Sequence, residues 1–255
     1  MTDPSKGIYG AGFAAGATAS DFNNMAQSAL WSYGGSVMKD NKLNLDSPET
    51  REALKMLLGF FEDGSVAPDM ISGDDMANNT AFLSGTAGFI VNIPTIAAAL
   101  QKDAPDIWEN TGVCPLPAGP EGAFSLVSPG TLLVFNRTEE ENYWIQKCLA
   151  YVADKERFGQ AVKAASPAYV PQFEGMTEDK ELMSDPVVAA HLNAVLSGKM
   201  IFHPDSKLTK ERSVLTQSDT YINNFISYVV VDKMSFEDAL KKQIELCERA
   251  LDSLN

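Results

Sequence analysis

Histidine and cysteine are scarce: the chain has two of the first, His191 and His203, and three of the second, Cys114, Cys148 and Cys247. No cysteine stands at a metal-ligand spacing, and an odd number cannot all pair within one chain. Two isolated histidines without neighbouring cysteines argue against a structural zinc site. The cysteines therefore read as unpaired structural thiols, with Cys148 and Cys247 in helical patterns as small buried hydrophobes. His191 lies among Val187, Val188, Leu192 and Val195 and reads as a partly buried helix residue.

Long apolar runs are also missing. Ile222–Val231 is the longest stretch of that kind, too short and too interrupted to span a bilayer. No apolar core follows Met1-Thr2-Asp3-Pro4-Ser5-Lys6, so the start does not read as a signal peptide. Taken alone, that points to the cytoplasm or to a chain whose beginning has been removed. There is no G-x-S-x-G elbow and no P-loop, and the glycines between Gly7 and Gly16 do not make G-x-G-x-x-G between a strand and a helix. There is no internal repeat and no low-complexity linker. Positive charge is in deficit: 20 Lys and Arg against 34 Asp and Glu give a formal net charge of -14. Such a surface repels nucleic-acid phosphate and anionic lipid, and leaves neutral solutes or cations as easier partners.

What is present is a globular composition, 45% hydrophobic and 21% charged over 255 residues, enough for one large domain or two lobes. Strand-like and helix-like patterns alternate. Gly7–Phe13, Asn41–Leu45, Ala87–Val91, Val113–Leu116 and Ser125–Phe135 read as strands. Asp21–Tyr33 reads as a helix closed by Gly34-Gly35, with Trp31 in its core. Ser47-Pro48-Glu49 opens the next helix with a cap, a first-position proline and an acid, followed by Ala53, Leu54, Leu57, Leu58 and Phe61 at helical spacing. Further helices are expected over Asp74–Leu83, Pro94–Gln101, Glu139–Asp154, Lys155–Ala164, Pro186–Ser197, Ser213–Val231 and Ser235–Leu254. The fold class is α/β, and the three segments Gly7–Phe13, Ala87–Val91 and Val113–Leu116 should share one small mixed sheet flanked by helices.

Catalytic arrangements are hard to find. Asp74-Asp75 could belong to a carboxylate pair of the glycosidase kind. Adjacent helix residues point apart, however, and a first-turn charge match to the helix dipole explains both. Asn78-Asn79-Thr80 and Asn136-Arg137-Thr138 match glycosylation sequons, a pattern frequent enough by chance to carry no weight.

The order of short motifs is more informative. A helix ends in Trp31-Ser32-Tyr33-Gly34-Gly35, and Leu45-Asp46-Ser47-Pro48-Glu49 follows. Then come a helix ending Asp63-Gly64, Pro68, and Ala81-Phe82-Leu83-Ser84-Gly85-Thr86-Ala87-Gly88 running into Asn92-Ile93-Pro94. Gly112-Val113-Cys114-Pro115-Leu116-Pro117-Ala118-Gly119-Pro120-Glu121-Gly122 leads on to Pro129-Gly130. This series over residues 7–135 resembles the sugar-type, maltose-binding-like family of extracellular solute-binding proteins of ABC importers.

The resemblance implies a two-lobe clamp with ligand in the cleft, no chemistry on the ligand and no cofactor. It covers the C-terminal three-fifths of a member, so the chain is expected to be a fragment lacking most of the first lobe. Residues 1–123 and 176–255 would form the ligand-binding C-terminal lobe, and 124–175 the hinge crossing and a helical remnant of the N-terminal lobe. Implied partners are a small solute, a mono- or oligosaccharide, and the permease subunits of the transporter. The full-length protein would work in the periplasm or lipid-anchored at the cell surface. The apolar segments Ser125–Phe135 and Tyr143–Val152 would be left uncovered and favour self-association.

The candidate ligand contacts are Phe22, Asn23 and Asn24 at the opening of the first helix, Asn92 and Thr95 at a strand-to-helix turn, Gly130 where the chain would cross between lobes, and Asp219 and Tyr221 early in a late helix. The best-known sugar binders of the family carry a tryptophan where this chain reads Asn92-Ile93-Pro94-Thr95, which favours a smaller or more polar solute. The competing readings are a glycoside hydrolase using Asp69, Asp74, Asp75 and Glu174, and a structural domain that no longer binds ligand.

Overall fold

The structure is a computed structural model that describes residues 2–40, 42–127, 133–169, 175–197, 199–200 and 221–253. By chain contacts it divides into two compact units: Met1–Asn92 with Leu116–Leu126 and Ser197–Asn255, and Ile93–Pro115 with Val127–Leu196.

In the first unit the backbone of residues 8–12 runs between two parallel neighbours. Tyr9 donates to the carbonyl of Thr86 at 2.9 Å and accepts from Gly88, and Gly12 donates to Phe89 at 2.8 Å. On the other side Ala11 donates to Ser65 at 2.9 Å, and Ala11 bridges Val66 in parallel. The expected pairing of Gly7–Phe13 with Ala87–Val91 is therefore present. Val113–Leu116 is not in this sheet and is not a strand; the neighbour on the far side is Val66. The reason is chemical: Pro115 and Pro117 have no N–H to give to a ladder.

Helices pack around this backbone. Helix α1 (Ser20–Ser32) buries Phe22, Asn23, Met25, Ala26 and Leu30. Strands β1 (Met38–Lys39) and β2 (Lys42–Leu43) form an antiparallel pair. Helix α2 (Pro48–Glu62) starts as its sequence dictates: the Ser47 hydroxyl accepts from the Thr50 amide, Pro48 fills the first position, and Ala53, Leu54, Leu57 and Leu58 are buried. It stops where Gly64 takes a positive φ of 76°, a conformation open to glycine. Helix α3 (Asp75–Leu83) is capped by the Asp74 carboxylate on the Met76 amide.

Helices α10 (Tyr221–Val230) and α11 (Phe236–Asp252), numbered in chain order, complete this unit. Phe225 stacks edge-on against Phe236 with centroids 5.1 Å apart. Arg51 holds α11 to α2 through a two-pronged bond to Glu237, at 2.8 and 3.0 Å. At the centre, Phe13 meets Phe60, Phe89 and Phe22 at 5.2, 5.8 and 6.3 Å, and Phe22 meets Phe61 at 5.6 Å. Trp31 is half-buried and not in this core, because on α1 it lies away from the Phe22–Ala26–Leu30 stripe.

The second unit is helical: α4 (Thr95–Asp103), α5 (Pro105–Trp108), α6 (Glu139–Val152), α7 (Lys155–Ala164), α8 (Lys180–Met183) and α9 (Pro186–Ser197). Its packed centre is small, with Val162, Met176, Leu182 and Val188 joined by Phe158 and Met183. Helix α6 opens with a reciprocal capping box between Thr138 and Glu141, yet buries none of its own residues. Of the long strand expected over Ser125–Phe135, Leu126–Val127 is strand and Leu133–Phe135 is exposed without regular structure, while 128–132 lie outside the described residues. Cys148, expected to be buried, is exposed, because it sits on the outer arc of α6; Cys114 is exposed and Cys247 buried, and all three are free thiols.

Candidate functional site

The parallel pairing of the first unit runs out at Gly12 and Phe89, and the two segments continue to Ala14 and Asn92 without it. Between these ends and the start of α1 lies a shallow recess, half open to solvent and with enclosed room for about one water molecule, lined by Gly12, Phe13, Ala14, Asp21, Phe22, Met25, Asn78 and Val91. The carboxyl ends of neighbouring parallel strands are where open α/β sheets place ligands.

The first turn of α1 is positioned from elsewhere in the chain. Its cap position is Ala19, whose methyl group cannot accept a hydrogen bond. Asp75, on α3, supplies the missing acceptor: one carboxylate oxygen takes the Asp21 amide at 2.9 Å and the other the Ser20 hydroxyl at 2.7 Å. Just before, the Gly16 amide donates to the Gly73 carbonyl at 3.0 Å. A Cβ on residue 16 would stand 2.5 Å from that oxygen, so the approach requires glycine.

Asp21 and Asn78 are the polar part of the recess. The Asn78 carboxamide, buried, donates to Asp21 Oδ2 at 3.0 Å. Burial pushes the Asp21 carboxyl above its ordinary range, the nearby Asp75 charge adds to this, and the Asn78 hydrogen bond opposes it. Next along α3, the Asn79 side-chain oxygen accepts from the Asn92 side-chain Nδ2. One carboxylate and one carboxamide thus line the recess beside the buried rings of Phe13 and Phe22, with the Asn79–Asn92 pair next along α3. Among the described residues, no cluster of His, Cys, Asp and Glu is arranged to hold a metal ion.

The residues singled out from sequence fall in different places. Phe22 lines the recess, with its ring also in the aromatic core. Asn23 is buried behind it, and Asn24 is half-buried, its carbonyl accepting from Ser28. Asn92 is half-buried and joined to Asn79. Thr95 is exposed at the first position of α4, in the second unit. Tyr221 is buried in the first unit's core. Gly130 and Asp219 lie outside the described residues.

The carboxylates of the glycosidase reading are otherwise engaged: Asp74 caps α3, Asp75 caps α1, Asp69 sits in an exposed turn, and Glu174 is outside the described residues. Sequence reading missed Asp21, Asn78 and Asn79. The available signal was the pair of asparagines inside a helix, where asparagine is a poor helix former unless its amide has a partner.

Comparison with known proteins agrees with this architecture. A curated relative, a probable ABC transporter-binding protein of Deinococcus radiodurans, is 27% identical over 156 residues, which is 60% of this chain and 36% of that protein. The fold is shared with a sugar transporter protein of Arthrobacter chlorophenolicus solved with laminaribiose, at a TM-score of 0.74 and 21% identity over 96% of this chain. It is shared also with maltose-bound MalE3 of T. maritima, at 0.71 and 18% over 96% of this chain, and with a ribitol-bound protein of Agrobacterium radiobacter, at 0.74 and 16% over 97%. In each case this chain spans 61% of the solved protein. The profile described as bacterial extracellular solute-binding protein matches residues 4–190, about three quarters of the chain, and the protein belongs to that family.

Proposed function

We propose that this protein binds a small, neutral, polyhydroxylated solute for an ABC importer, with the recess at the start of α1 as part of the binding site. The observation that carries the reading is the pairing of Asp21 with Asn78 in the recess at the start of α1, with Asn79 joined to Asn92 next along α3. Carboxylates and amides suit the hydroxyls of such a solute. The relatives solved with laminaribiose, maltose and ribitol give the chemical range to test.

In this reading the solute is held between two lobes, 1–123 with 176–255 forming one and 124–175 contributing to the other, and the loaded protein meets permease subunits outside the cytoplasm, free or lipid-anchored. Phe22, Asn23, Asn24, Asn92, Thr95, Gly130, Asp219 and Tyr221 remain its proposed ligand contacts, with Asp21 and Asn78 added. The exposed side chains Leu133, Phe135, Tyr143, Trp144 and Tyr151 support a further part of the proposal, that an apolar face in the second unit is covered by a neighbouring chain or by self-association.

Isothermal titration with laminaribiose, maltose and ribitol tests the central claim. Asp21→Ala and Asn92→Ala should each weaken the ligand that binds by about 1–3 kcal/mol, the cost of stranding a buried polar partner. Unchanged affinity in both variants would move the site elsewhere, and hydrolysis of nitrophenyl glycosides would replace the reading with an enzymatic one.

A further inference from the structure

We propose that Asn223 is a positioning residue for the recess: its carboxamide fixes the Gly16–Ala19 turn that delivers Asp21 and Phe22. The proposal rests on the recess being the binding site.

Asn223 is 1% exposed and stands on α10 among Ile222, Phe225 and Ile226, all in the core. A carboxamide in an apolar wall is unfavourable unless bonded. Its Nδ2 donates to the Gly16 carbonyl at 2.8 Å and to the Ala19 carbonyl at 2.9 Å. Those two oxygens bracket one turn, closed by the Ala19 amide on the Gly16 carbonyl at 2.9 Å. Both acceptors are oxygens, so the amide must present its NH2 to them.

Packing alone does not account for this residue. Among the described residues Asn223 Oδ1 accepts no hydrogen bond, and an apolar side chain would fill the space without desolvating an amide. What asparagine adds is geometry. The Gly16–Ala19 turn is held on one side by Asn223, more than 200 residues away in sequence, and on the other by the Gly73 carbonyl. Ala19 is the cap position of α1, and Asp21 and Phe22 follow within one turn. A binding constellation needs its supporting contacts to hold it within about 0.5 Å, and this turn is the support that α1 lacks locally.

Two measurements on the full chain test the assignment: hydrogen–deuterium exchange, and titration with laminaribiose. In Asn223→Leu, amides of residues 16–23 should exchange about tenfold faster, while those of α11 stay unchanged. Laminaribiose affinity should fall severalfold with the melting temperature nearly kept, a split that a merely structural role would not give. Gly16→Ala strains the same turn without touching α10, and should give the same local pattern if Asn223→Leu does not fold. A folded variant with unchanged exchange over residues 16–23, or with an equal rise through α11, overturns the proposal. Faster exchange with laminaribiose affinity unaltered in Asn223→Leu and in Asp21→Ala keeps the clamp and removes the recess as the solute site.

Discussion

Leu30, Leu54, Leu57, Ile222, Phe225 and Ile226 of the first unit are each exposed by 2% or less, whereas Tyr143, Trp144, Tyr151 and Val152 of the second each show more than half of their surface. Helix α6 is apolar over a wider arc than its unit covers: Ile145 and Leu149 are half-buried, while Tyr143, Trp144, Cys148 and Tyr151 face out. The first unit closes its core with segments distant in sequence, and the second has a centre of only a few side chains. The contrast teaches that apolar content does not itself make a core. The second unit leaves uncovered the kind of side chain that the first buries.

The largest difference should appear in thiol chemistry, since each unit carries one helical cysteine. Cys247, on α11, is buried and its thiol is pushed up to about 11 by desolvation, whereas Cys148 on α6 is exposed. The thiolate is the reactive form, so a maleimide should label Cys148 orders of magnitude faster than Cys247, whose labelling waits on opening of the first unit. Equal rates in peptide mapping would erase the distinction.

Stability should separate the units next. Phe225→Ala removes a ring that is 1% exposed and should cost about 3–5 kcal/mol in urea denaturation. Tyr151→Ala should change stability by less than about 0.5 kcal/mol and lower any self-association seen by sedimentation. A Tyr151 effect as large as that of Phe225 would mean that this face of α6 is covered like a core.

Asp75→Ala should cost about 1–2 kcal/mol, the range of a lost helix cap, although Asp75 belongs to a different helix from the one it caps. The smallest effect is a pH dependence. Folding raises the Asp21 pKa, so its ionised form is the one that folding disfavours. Its contribution is absent below the unfolded carboxylate value near 4 and turns against folding as pH rises through the folded value. Asp21→Asn should therefore gain stability relative to the parent between about pH 3 and neutrality, as measured by urea denaturation at stepped pH.

Much of the fold was legible because its signals are local. Ser47-Pro48-Glu49 and the spacing of Ala53, Leu54, Leu57 and Leu58 contain the start and buried face of α2, and α7 and α9 occupy their expected residues. The sheet was legible in part: Gly7–Phe13 and Ala87–Val91 meet, but the apolar residues of Val113–Leu116 hid the veto of two prolines. The site was less legible, because its polar residues are explained by partners far away in sequence. By sequence Asp75 is a local charge on α3, whereas its partner is the Asp21 amide, and Asn78-Asn79 matches a sequon, whereas Asn78 bonds Asp21. Trp31 and Cys148 went wrong for one reason: periodicity gives the apolar residues of a helix, and only the neighbours decide which of them are covered.

The 54-residue separation between the Asp21 amide and the carboxylate that caps it has a consequence during synthesis. As the chain leaves the ribosome, α1 emerges without a cap of its own and stays so until residue 75 has followed. Its first turn, with Asp21 and Phe22, is therefore a late acquisition. The segment that shapes the recess cannot settle before α3 exists.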